Sequence, residues 1–171
     1  DEPDSIYGLV AKTVTVSEDR NSFEFALRPE ARFHDGSQLT AHDAAFTYLL
    51  FKEKGYPDLQ LALTELSEAV AVEDHTLRLT FSGKQSDRTI LNAATFPILS
   101  KAYFEKVPFD SSRLEQPLAS GPYKVGRISP GRTIEYERFG EYWGRDLPVN
   151  LGMYNFDRLR IEFYGDRQAA I

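Results

Sequence analysis

An α+β fold, α/β in the broad sense, is predicted for this 171-residue chain by two observations. Apolar residues alternate with polar ones over 13–16, 22–28, 76–81, 123–128, 132–138 and 158–164, the period of a strand with one buried face. Between these runs the period changes: Ala45, Phe46, Leu49 and Leu50 recur at i, i+1, i+4 and i+5, which places them on one side of a helix.

The elements follow in order. Residues 6–11 form a short apolar stretch read as one helical turn. Thr13 to Val16 is rich in β-branched residues and reads as a strand. A polar turn at 18–21 returns the chain as a second strand over 22–28, giving a hairpin that stops at Pro29. His34-Asp35-Gly36 forms a tight turn. Thr40, with Asp43 three residues on, resembles a capping box with a shorter acid and starts the first long helix. Gly55 and Pro57 end it. Residues 59–69 carry a mixed pattern read as a second helix. Val70–Val72 and 76–81 flank Glu73-Asp74-His75 as a second hairpin. Helices are expected over 87–94, stopped near Pro97, and over 100–106, before Pro108. The composition turns polar from 109 to 119, and three strands complete the chain. The parts divide as an α/β unit over 1–107, a crossing segment over 108–116 and a strand-rich part over 117–171.

Composition narrows the function. A hydrophobic fraction of 42%, with 13% aromatic residues, supports a packed core. The net charge is −6 with acids and bases interspersed, which speaks against a nucleic-acid surface. No apolar stretch approaches the roughly 20 residues that span a bilayer. The chain has no cysteine, which excludes disulfides, thiolate metal sites and a cysteine nucleophile. It opens on Asp1-Glu2-Pro3 with neither an initiator methionine nor a basic-apolar leader, and 166–171 reads as a cap and barely one turn of helix. Both boundaries are therefore expected to be artificial.

Chemistry-bearing residues are few. His34, Asp35, His42 and Asp43 have the donor types of a zinc or nickel site. Asp35 before a glycine is better placed to close its own turn, and Asp43 in a first helical turn favours the positive helix end. Ser120 lies outside any Gly-x-Ser-x-Gly elbow, and no pair of acids stands out for glycoside hydrolysis. No catalytic residue, metal ligand or cofactor is assigned. Gly121-Pro122-Tyr123 reads as a strand start that uses glycine's conformational freedom, and Tyr142-Trp143-Gly144 as an aromatic plug over a strand end.

Taken together, Phe25, Leu27, Arg28, Phe33, Asp35, Gly36, Thr40, Ala41 and Asp43 resemble a segment shared by extracellular solute-binding proteins of peptide- and nickel-importing ABC systems. Gly121-Pro122-Tyr123 and Tyr142-Trp143-Gly144 match further motifs of that family in the same order. The run Leu147-Pro-Val-Asn-Leu-Gly-Met-Tyr-Asn-Phe-Asp157 is closest to its oligopeptide branch, with Leu151 where an arginine is usual. The resemblance implies a fragment of a periplasmic-binding-protein-like type II fold, comprising a small accessory lobe and part of the main lobe. It implies a periplasmic or extracellular protein that closes two lobes on an oligopeptide and hands it to the permease of an ABC transporter, its contact with the membrane. A nickel or metal-chelate carrier on the same scaffold is the alternative, and a hydrolase a more distant one. For ligand contact it points to Phe96, Pro97 and Ile98, where the chain leaves the small lobe along the cleft. Tyr56, in the loop after the first long helix, is a further candidate for an apolar wall.

Overall fold

The computed structural model describes residues 6–110 and 116–165. Four antiparallel strands form the first sheet: β1 (Ala11–Val16), β2 (Ser22–Leu27), β3 (Leu66–Glu73) and β4 (Thr76–Phe81), in the order β1-β2-β4-β3. Both expected hairpins are present. They join through β2 and β4, where Phe23 pairs with Leu79 and Phe25 with Leu77. Because facing residues share a side of the sheet, this register sends Phe23, Phe25, Leu27, Leu77, Leu79 and Phe81 into one buried layer. The opposite face is polar and carries the Glu24–Arg78 ion pair at 2.9 Å.

Helix α1 (Ala41–Lys54) covers the apolar layer with Ala41, Ala44, Ala45, Tyr48 and Phe51. It begins where the capping residues fall, in a capping box shared by the Thr40 side chain and the Asp43 carboxylate. Asp43 Oδ2 accepts from the Thr40 N–H and the Thr40 hydroxyl, each at 2.9 Å. Asp43 Oδ1 accepts from the Lys101 N–H at 2.9 Å, tying in α4 (Lys101–Phe104). One turn further on, buried Thr47 donates to the Asp43 carbonyl and accepts from the Leu99 N–H. The segment after α3 (Asp87–Ala94) is thus stitched to α1 through two side chains.

Two expectations need correction. Residues 6–11 form no helical turn; Ala11 already belongs to β1, and Arg28 bonds back to the Leu9 and Val10 carbonyls. The segment 59–69 is divided between α2 (Pro57–Ala62) and β3, because Leu66 pairs with Phe81 on β4, a partner 15 residues away by their numbers. Long-range pairing overrides the local pattern there.

The second sheet is β5 (Tyr123–Ser129), β6 (Thr133–Arg138) and β7 (Arg158–Glu162), antiparallel and in sequence order. Its register sorts the side chains cleanly. Val125, Tyr136 and Leu159 lie in one row and Ile128, Ile134 and Ile161 in the next, while Glu135–Arg160 and Glu137–Arg158 pair on the other face. The apolar face is partly buried on β5 and β6 and open at β7, where Leu159 is 37% and Ile161 47% exposed. Among the described residues beyond 100, Tyr142 is the one buried apolar side chain. The expected start of helix over 166–171 and part of the crossing segment lie outside the described residues.

Candidate ligand-binding wall and the joint beside it

Of the four candidate contact residues, the structure brings three together. Phe96, Pro97 and Ile98 occupy the helix-free stretch between α3 and α4. The Phe96 ring lies 5.7 Å from Tyr48 and 6.0 Å from Phe51, so α1 holds it by aromatic contacts. Ile98 touches both apolar clusters of the fold. Pro97 alone of the three is exposed. Behind them Tyr48 is buried and donates to the Ala93 carbonyl, and burial pushes its phenol pKa up. Tyr56 caps α2 at the far end of α1 and is 79% exposed.

The candidate metal donors of the sequence each have structural neighbours. Asp35 Oδ1 accepts from the Ser37 N–H at 2.9 Å and its hydroxyl at 2.6 Å, and these bonds hold its carboxyl below the usual range. Gly36 takes φ +85 to complete the turn. His42 approaches Asp74 at 3.5 Å, and Asp43 is the helix cap.

His34 has a role that sequence reasoning missed. Its N–H donates to the Ala119 carbonyl at 2.8 Å, and its Nε2 lies 2.7 Å from the Gly121 carbonyl. A carbonyl only accepts, so Nε2 carries a proton. The imidazole lies 4.9 Å from the Phe139 ring, tilted at 59° to it, and Lys124 Nζ sits over Phe139 at 3.7 Å from the ring centre. Lys124 Nζ also donates to the His34 carbonyl at 3.2 Å. Beside this, Trp143 donates from Nε1 to the Ser120 carbonyl at 3.1 Å and packs against the small cluster of Ala31, Phe33 and Leu39. Thus the three motif segments meet in one joint between the sheets. Gly121 takes no left-handed conformation and has nothing near its α-carbon that excludes a side chain. Its part in the joint is its carbonyl. Gly144 is the glycine that packing requires: a β-carbon there would lie 2.7 Å from the buried Tyr142 hydroxyl.

Residues 5–171 match the family described as bacterial extracellular solute-binding proteins, family 5 Middle. The chain belongs to this family. A Brucella melitensis family relative, named as a binding protein, is 39% identical over 166 residues, covering 96% of this chain and 27% of its own length. The peptidoglycan-binding protein YepA of Agrobacterium fabrum is 35% identical over 165 residues, with the same coverages. This family 5 chain therefore spans about 27% of the length of the curated relatives it matches. The fold also matches Campylobacter jejuni NikZ in complex with Ni(L-His), at TM-score 0.79 and 22% identity, covering 94% of this chain and 31% of that one. Bacillus subtilis AppA in complex with a nonapeptide gives TM-score 0.75 at 21% identity, with 94% and 32% covered. The family 5 fold is thus the type II fold of periplasmic binding proteins, of which this chain covers about a third. Among the described residues no helix is long and apolar enough to cross a membrane.

Proposed function

We propose that this chain is part of a periplasmic or extracellular receptor that captures oligopeptides between two lobes and delivers them to the permease of an ABC importer. In this reading residues 1–107 are the small accessory lobe, 108–116 the crossing segment, and 117–171 part of the main ligand-binding lobe. The apolar face of the second sheet, open along β7, supports the last assignment. A sheet with one apolar face is stable when that face is packed against another layer, as a completed main lobe would provide.

The observation that carries the peptide reading is the 35% identity, along 96% of this chain, to a relative named as peptidoglycan-binding. Peptidoglycan is a glycan bearing short peptides, so a peptide-shaped ligand is the chemistry common to that name and to the oligopeptide-type run at 147–157. Closure of two lobes would bury the ligand, and contacts to its main chain would accept varied sequences. Pro97, with Phe96 and Ile98 fixed behind it on α1, is suited to form an apolar wall for a peptide side chain, and exposed Tyr56 to add an aromatic contact. The mechanism needs no bond-making step and no cofactor.

A nickel or metal-chelate carrier is the second reading, favoured by the likeness to NikZ with Ni(L-His). At 22% identity that likeness reaches the fold alone. Native mass spectrometry of a family-length receptor containing this chain, purified without refolding, distinguishes the two. Co-purifying peptides are the expected result; nickel bound without peptide would contradict the peptide reading.

A further inference from the structure

Two segments far along the chain converge on His34 in the turn after β2: the strand start at 119–124 and the segment after β6. Each holds it differently. The Ala119 carbonyl takes its backbone N–H, the Gly121 carbonyl takes its ring N–H, Phe139 packs against the imidazole at a tilt, and Lys124 bridges the Phe139 ring to the His34 carbonyl. We propose that His34 is a proton-sensitive positioning residue, whose neutral ring keeps the joint between the two sheets closed and whose protonation loosens it.

The electrostatics run in one direction. The ring is half-buried, and a cation there would lose hydration. Two charged groups bear on it. The Lys124 ammonium, from β5, repels an imidazolium; the Asp35 carboxylate, next in the chain, attracts one but already accepts two hydrogen bonds from Ser37. Gly121 and Phe139 contribute no charge. Burial, the largest influence, outweighs the opposing Gly121 hydrogen bond, with the smaller repulsion by Lys124 on its side and the still smaller attraction of Asp35 against it, and the pKa of His34 falls below its usual value. A base with a depressed folded pKa adds no pH dependence while it is neutral in both states. Its open form takes up the proton first, so closure weakens as pH falls from about 6.5 towards the folded pKa. This inference rests on the joint alone and holds for any ligand.

Trp143 is the only tryptophan of the chain and lies in the joint, so its fluorescence reports on closure. In the wild-type chain its emission is expected to shift to the red between pH 7 and pH 5 while far-ultraviolet circular dichroism stays constant. His34→Gln retains an N–H donor for the Gly121 carbonyl but cannot titrate, and its emission is expected to stay flat over that range. A wild-type emission that does not move, or a His34→Gln emission that follows the wild-type curve, overturns the proposal. Should His34→Gln not fold, NMR of the wild-type chain decides. Exchange of the Trp143 indole N–H is expected to rise with the midpoint of the His34 ring titration, below about 6.5. A His34 midpoint above that value, or indole exchange independent of it, overturns the proposal equally.

Discussion

Phe23→Ala is expected to lower the unfolding free energy by about 3–5 kcal/mol, the usual cost of removing a large ring from a packed core. Phe23 is fully buried, faces Leu79 across the β2–β4 ladder and meets Phe81 at 5.5 Å between ring centres. It therefore sits where the two hairpins become one sheet beneath α1. Domains of this size are stable by about 5–15 kcal/mol, so the variant would lie at the edge of folding. Urea denaturation of the two forms measures the effect. A loss under about 1 kcal/mol would mean that the β2–β4 core can collapse around the missing ring.

Asp43→Ala is expected to cost about 2–3 kcal/mol, more than the loss of about 1 kcal/mol expected for Thr40→Ala. The geometry sets that order. The carboxylate of Asp43 accepts from the Thr40 N–H, the Thr40 hydroxyl and the Lys101 N–H, whereas the hydroxyl of Thr40 is a donor to that same carboxylate. Removing the acid leaves two part-buried backbone N–H groups, at the starts of α1 and α4, without their acceptor; removing the hydroxyl leaves both still bonded and frees only the Asp43 N–H. Denaturant midpoints of the two variants, measured together, check the order. Equal losses would place the cap in the Thr40 hydroxyl.

Where the sequence carried a short-range physical signal, the fold was legible. The Thr40 and Asp43 pair marked the start of α1, Gly55 its end, and the alternation of Phe23, Phe25 and Leu27 the buried face of β2. Asp87 to Ala94 stands as the helix that its pattern implied. Local signals failed where a distant partner decided the outcome. Leu66 lies in an apolar run compatible with a helix, yet Phe81 draws it into β3. Residues 6–11 are apolar enough for a turn of helix, but Arg28 fixes their carbonyls alongside β2.

The candidate wall shows the same division. Phe96, Pro97 and Ile98 could be picked out as an uncharged stretch after a helix. That Phe96 and Ile98 pack inward while Pro97 faces out depends on Tyr48 and Phe51, and on both apolar clusters. The joint was hidden further. His34 and Gly121 are 87 positions apart, and the bond uses a backbone carbonyl, which any residue would supply. Their motifs were recognisable one at a time; their meeting was a property of the folded chain.

Titration of this chain by itself with a mixed peptide pool, followed by calorimetry, tests the central claim most directly. A two-lobed receptor gains affinity when closure buries the ligand from both sides and satisfies its polar ends. If these residues are the accessory lobe and one part of the main lobe, a peptide bound here keeps one side in water. Binding no tighter than about millimolar, on the order of 4 kcal/mol, is the expected result. Micromolar binding would contradict the account, because a complete recognition surface would then lie within this chain.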